Sequence, residues 1–310
     1  KKVIRIIYSH FKANLKQRFA FYFCNSARNG FNIKSEVPYF SNMPEHIISI
    51  PLPSLFSFDE CLWFLDRNYD ECLHTINDNE VRKALIINGK KFLISVTQGN
   101  SNLSVIILDG PMDDESILLI RQYVADWFDL TNPLDDFYQR LASNETLAYM
   151  ATDFKGLRLM GIEDMFEAIC WCIIGQQINL TFAYKLKRRL VERFGDAISY
   201  EGQNYHLFPH YSVLAEASFD ELKEMQYSTQ KANYIISTAK AFANGEISKE
   251  MIRQLPELPA KQKALTNLKG IGIWTANYVL MKTLKEFTCI PYGDIGLLNA
   301  LANHQFISDR

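Results

Sequence analysis

From about residue 142 to the C-terminus, apolar residues recur three and four positions apart, through 165–194, 219–225, 231–244 and 274–284. That period restricts the region to helices whose apolar stripes must meet in a shared core. Breakers at Gly195, Pro209, Pro256, Pro259, Gly270, Gly272, Pro291 and Gly293 cut it into short helices joined by tight turns. Upstream, from Met43 to about Leu141, the pattern differs. Runs 84–87, 91–97 and 103–108 are short and β-rich, and Asn88-Gly89 and Gln98-Gly99-Asn100-Ser101 between them are hairpin turn chemistry. The stretch 116–128 returns to helical spacing, with Ile117, Leu118, Ile120, Val124, Trp127 and Phe128 as its apolar residues, so a helix is expected to pack on the sheet. The predicted class is therefore α+β. An N-terminal antiparallel sheet with helices spans 43–141, and an all-α domain spans 142–310.

Charge neither identifies nor excludes a polyanionic partner. The 310 residues carry a formal charge of −2, so any contact with nucleic acid has to come from a local site. Residues 1–42 hold eight Lys or Arg against one acid, Glu36; with seven positive charges in excess there, the remainder carries −9. Such a basic extension reads as a transit peptide, a nucleic-acid-binding arm, or upstream sequence that is not native; the last is favoured because Met43 opens the first well-patterned segment. Six cysteines form no Cys-x-x-Cys pair and have no histidine at metal-ligand spacing, so they read as small buried hydrophobes and no metal site is expected. No apolar run approaches the roughly 20 residues that cross a bilayer. A soluble chain in the reducing cytoplasm is expected, with no membrane partner.

The most informative segment is Leu268-Lys269-Gly270-Ile271-Gly272-Ile273-Trp274-Thr275-Ala276, a Gly-x-Gly turn between helix-like stretches 261–267 and 274–284. Two glycines around one apolar residue let the backbone reverse and leave no side chain between its amides and an approaching phosphate. The amides and the following helix N-terminus can then grip a phosphate whatever the net charge. Read alone, such a turn is also an ordinary helix connection. Next comes Ile290-Pro291-Tyr292-Gly293-Asp294-Ile295-Gly296, which puts Asp294 at the start of a helix-like run 297–303, where by itself it would be an N-cap.

Taken together, Leu268, Gly270, Ile271, Gly272, Thr275 and Ala276 resemble the helix-hairpin-helix DNA-binding motif. A Pro/Gly/Asp loop behind it resembles the signature of the helix-hairpin-helix/Gly-Pro-Asp DNA glycosylase superfamily. Gly-Ile-Gly-x-Trp-Thr-Ala-Asn-Tyr is most similar to the DNA-3-methyladenine glycosylase II family. Gly156-Leu157-Arg158-Leu159, Asp164-x-Phe166-Glu167-Ala168 and Ile173-Ile174-Gly175-Gln176-Gln177 resemble that family's first glycosylase-domain helices; Lys231-Ala232 resembles a later one and 56–65 its opening segment. Because the family continues through further helices, the native chain is expected to extend past Arg310.

The resemblance implies that Asp294 is the catalytic carboxylate of a monofunctional DNA glycosylase that removes alkylated bases from double-stranded DNA. The position 20 before the Asp is Lys in the bifunctional glycosylase/lyases; here it is Trp274, which cannot form a Schiff base. Gln177, with Gln176 beside it, matches the residue that fills the gap left by the extruded nucleotide. Trp274, Tyr278, Phe64 and Trp171 would form an electron-rich base pocket, unless these rings are ordinary core. Gly270, Ile271, Gly272, Thr275 and Ala276 would hold DNA. No cofactor is implied, although in some relatives a monovalent cation bridges hairpin and phosphate. A monomer acting on cytoplasmic, nucleoid DNA is expected. An 8-oxoguanine-type glycosylase and a non-catalytic helix-hairpin-helix protein remain open alternatives.

Overall fold

The computed structural model describes residues 47–66 and 69–307. Segment 1–42, with the reading attached to it, lies outside the described residues. The N-terminal part is a five-stranded antiparallel sheet, β1 (Ile47–Pro51), β2 (Thr75–Asn77), β3 (Glu80–Ile87), β4 (Lys90–Gln98) and β5 (Asn102–Asp109), in spatial order β1-β5-β4-β3-β2. Asn88 and Gly89, both at positive φ, close the β3–β4 hairpin and set its register, Ile87 opposite Lys90. One face packs on α1 (Phe58–Leu65) and α2 (Asp114–Trp127): Ile94, Val96, Leu103 and Val105 meet Phe58, Cys61, Ile120 and Val124.

The other face is covered too, so Phe92 to Val96 are buried without interruption rather than alternating. Its cover is a β-hairpin, β6 (Asp196–Tyr200) and β7 (Gln203–Leu207), whose Ile198, Tyr205 and Leu207 pack on Ala84 and Leu93. Strand signals were expected to stop near residue 142. This hairpin corrects that: five-residue strands with polar outer faces leave almost no period-2 apolar signature, and the face they bury belongs to the distant sheet.

Two short helices, α3 (Asp135–Ala142) and α4 (Ala148–Asp153), enclose a small core of Leu141, Leu147, Met150 and Phe154. The chain then runs without helix or strand from 157 to 164. Gly156-Leu157-Arg158-Leu159, expected to belong to the first helices, is therefore a strap. Gly156 takes φ +83, and a Cβ there would meet the Phe56 and Ser57 backbone at 2.6 Å. The buried Arg158 guanidinium donates to the carbonyls of Leu55, Asp129 and Asn132, tying three separate segments together.

The helical part comprises α5 (Met165–Gly175), α6 (Leu180–Phe194), α7 (Tyr211–Glu216), α8 (Phe219–Glu224), α9 (Thr229–Ala243), α10 (Lys249–Gln254), α11 (Leu258–Thr266), α12 (Ile273–Thr283) and α13 (Ile295–Asn303). Helix α5 is apolar almost all round and sits at the centre, with α6, α9 and α12 packed against it. Lys282 of α12 donates to the Met160 carbonyl on the strap and Lys285 to Leu159, so the helical core closes directly onto the sheet part.

Candidate active site

Helices α11 and α12 are joined by the Gly-x-Gly turn. Gly270 adopts φ +85 with its Cα against Tyr234; a Cβ would lie 2.2 Å from that ring. Gly272 is the N-cap of α12, and no side chain caps this helix, so its first-turn amides are left without a side-chain acceptor, as a phosphate site requires. Three of the expected DNA-binding residues could reach DNA only through their backbone. Ile271, Thr275 and Ala276 are buried in the helical core, and the Ala276 amide already donates to the Gly272 carbonyl. Their motif positions report packing of the hairpin; the accessible groups are the backbone at Gly270 and Gly272, exposed Ile273, and the exposed cation Lys269, which the sequence reading passed over.

Asp294 is the N-cap of α13, its Oδ1 accepting from the Leu297 amide at 2.9 Å. Both readings of this residue are thus compatible, since Oδ2 has no partner among the described residues. The loop that delivers it is held by Asn277 of α12: Nδ2 donates to the Ile290 carbonyl at 2.6 Å, while Oδ1 accepts from Gln262 of α11 at 2.6 Å. One buried amide therefore couples both hairpin helices to the carboxylate loop.

Gln177 lies just past the end of α5. It sits exposed on the turn between α5 and α6 at φ +58. Gln176 beside it points inward, its Nε2 donating to the Gly270 carbonyl at 3.1 Å, and Lys231 donates to the Ile174 carbonyl at 2.7 Å. The turn carrying Gln177 is thereby pinned to the hairpin.

Phe64, Trp171 and Tyr278 line one small cavity of about 90 Å³ between the sheet part and the helices. Trp274 and Asp294 are not among its walls. Trp274 is stacked on Tyr278, centroids 5.5 Å apart and 11° from parallel, and so extends the aromatic surface outward from the cavity. Tyr184, Tyr123 and Trp127 complete the aromatic lining.

Between these rings lies a buried charge network absent from the sequence reading. Lys187 donates to both Glu71 oxygens at 3.1 Å and stands 3.8 Å from Glu167, over the Trp171 ring. Burial opposes its charge, but Glu71 and Glu167 raise its affinity for the proton above the ordinary lysine value. Burial likewise favours a neutral Glu71, yet Lys187, His74 and the Leu73 amide hold that carboxyl well below the usual range. Burial pushes His74 down to about 4 and lowers Lys83 as well. A signal existed: Lys187 falls on the otherwise apolar face of α6, and Glu163, Glu167 and Trp171 are spaced four apart.

A helix-hairpin-helix turn, an acid capping the next helix, and an aromatic cavity at the junction with an antiparallel sheet define a recognisable class. The family model for HhH-GPD superfamily base excision DNA repair proteins matches residues 170–310, and that for the N-terminal domain of 8-oxoguanine DNA glycosylases matches 70–169. A DNA-3-methyladenine glycosylase of Bacillus subtilis (strain 168) is 37% identical over 258 residues, 82% of this chain and 85% of that protein. The chain belongs to the HhH-GPD superfamily. Among solved structures, a 3-methyladenine DNA-glycosylase from Archaeoglobus fulgidus superposes with a TM-score of 0.72 at 26% identity, covering 83% of this chain and 86% of its own. An 8-oxoguanine glycosylase/lyase from Clostridium acetobutylicum, solved with double-stranded DNA, shares the fold at TM-score 0.61 and 19% identity, over 76% of each chain.

Proposed function

We propose that this protein is a monofunctional DNA glycosylase that extrudes an alkylated base from double-stranded DNA and hydrolyses its N-glycosidic bond. The observation that carries the reading is Asp294, on the loop that Asn277 ties to the hairpin helices through the Ile290 carbonyl, capping α13 through one oxygen only. The hairpin amides take the backbone phosphate, and Gln177 on its pinned turn fills the gap left in the stack. A base alkylated at N3 or N7 is cationic, so its bond is weak and it needs no strong acid to leave. Aromatic faces attract it by roughly 0.5–2 kcal/mol each. As the sugar becomes oxocarbenium-like, the Asp294 carboxylate stabilises its charge and orients the attacking water. Trp274 stands where a lyase has its amine, so the backbone is not cut. The protein acts as a monomer in the cytoplasm without a resident cofactor, a monovalent cation at the hairpin–phosphate contact being the one ion this chemistry admits.

The test is release of 3-methyladenine from methylated duplex by wild type and by Asp294→Asn. The variant is expected to bind duplex normally and to lose on the order of 10²–10³ in rate or more. Wild type that binds but releases nothing makes the protein a non-catalytic binder. The 8-oxoguanine-type N-terminal match favours a second reading, glycosylase action on oxidised guanine; release of 8-oxoguanine with none of the methylated base selects it.

A further inference from the structure

Three acids reach the cavity, and two of them are committed. Glu71 gives both oxygens to Lys187 and accepts the Cys72 and Leu73 amides, while Glu163 pairs with Lys249. Glu167 differs. Its only ion-pair partner among the described residues is Lys187 at 3.8 Å, beyond hydrogen-bond reach, and that ammonium is already held at 3.1 Å by both oxygens of Glu71. Glu167 lies one turn before Trp171 on α5, so its carboxylate and that ring face the same cavity. The cavity's lysines are likewise occupied: Lys83 donates to the Leu73 carbonyl and lies over Trp127, and Lys282 donates to Met160 and lies over Phe64. Every lysine of the chamber is thus engaged by a carbonyl, a ring or Glu71, and Glu167 is the lining acid whose carboxylate no cation hydrogen-bonds among the described residues, an acceptor for a flat guest that carries N–H donors and its own positive charge.

We propose that Glu167 is a specificity-determining residue of this pocket, its carboxylate accepting an N–H from the edge of the extruded cationic base. The inference rests on the glycosylase reading and adds to it the group that tells a charged base from a neutral one. An alkylated purine presents an amino or ring N–H on its pairing edge, which loses its partner when the nucleotide leaves the duplex. A carboxylate restores that bond in charge-assisted form and also attracts the positive ring. A neutral base gains only the first of these.

The experiment compares wild type, Glu167→Gln and Glu167→Ala on two duplexes of one sequence, carrying 7-methylguanine or neutral hypoxanthine. Base release is followed at enzyme excess, with duplex Kd and thermal midpoint measured alongside. Glu167→Gln is expected to slow 7-methylguanine release about 10- to 100-fold, Glu167→Ala at least as much, with duplex Kd near wild type and the 7-methylguanine-to-hypoxanthine ratio lowered. An unchanged rate on 7-methylguanine, or equal losses on both bases together with a fallen thermal midpoint, overturns the proposal and leaves Glu167 as a structural counter-charge to Lys187. Wild type that releases no alkylated base sinks the alkylated-base reading itself, an outcome visible before any variant is made.

Discussion

Gly270 shows how much rests on one missing Cβ. Its φ of +85 lies where side chains are strained, and the Tyr234 ring occupies the space a methyl group would need. Gly270→Ala is expected to cost roughly 1–3 kcal/mol of stability and to weaken duplex binding, because the turn must move away from Tyr234 to admit the carbon. Thermal unfolding and duplex Kd check both halves of that statement. Gly272 is different: it has no positive φ and nothing within 4 Å of an added Cβ, so its alanine variant should unfold near wild type and lose only close approach to phosphate. At the same scale, Asp294 illustrates a residue read two ways from its sequence position, as helix cap and as catalytic acid. In the fold it caps with one oxygen and keeps the other.

Among the elements, the turn between α5 and α6 and the α11–α12 hairpin form a single device. Gln176 joins them through the Gly270 carbonyl, and Lys231 secures the end of α5. Extrusion needs phosphate held and gap filled at once, so loosening this link should harm base release from paired DNA more than from unpaired DNA. Gln176→Leu, similar in size but without the donor, is expected to lower release from methylated duplex about tenfold while changing release from methylated single strands little. Equal losses on both substrates would mean that the side chain merely supports the fold. The hydrogen bond spans 94 residues of sequence, which is why Gln176 appears in the chain only as the neighbour of Gln177.

Taken as a whole, the molecule buries titratable groups at the seam between its sheet and its helices, and this sets its response to acid. Burial holds His74 at about 4 against an ordinary 6.5, so between those values the unfolded chain binds a proton that the folded chain refuses. Stability must therefore fall as pH drops through that window, by roughly 2–3 kcal/mol from this group. Glu71 acts in the same direction below its ordinary value of 4.5: unfolded it takes up a proton, while folded it stays ionised against Lys187. The midpoint of thermal unfolding is expected to fall steadily from pH 7 to pH 4, and His74→Gln to flatten the upper part of that slope. A wild-type midpoint independent of pH over this range would show that His74 titrates normally.

What could be read from the chain alone was whatever is local. Hairpin turns, the α2 stripe, the Gly-x-Gly turn and Asp294 behind its Pro/Gly loop are all contiguous patterns, governed by backbone conformation over a few residues, while the weight given to Trp274 came from the family resemblance. Three aromatic members of the cavity, Phe64, Trp171 and Tyr278, were also named from the chain, Phe64 through resemblance and Tyr278 through its four-residue spacing from Trp274. Tertiary structure decided the rest. It brought Glu71 to Lys187 across 116 residues, laid β6–β7 on the sheet, buried the side chains of Ile271, Thr275 and Ala276, and left Glu167 at 3.8 Å from Lys187, outside hydrogen-bond reach. Burial and charge pairing depend on which distant surfaces meet, and no window of sequence contains that information.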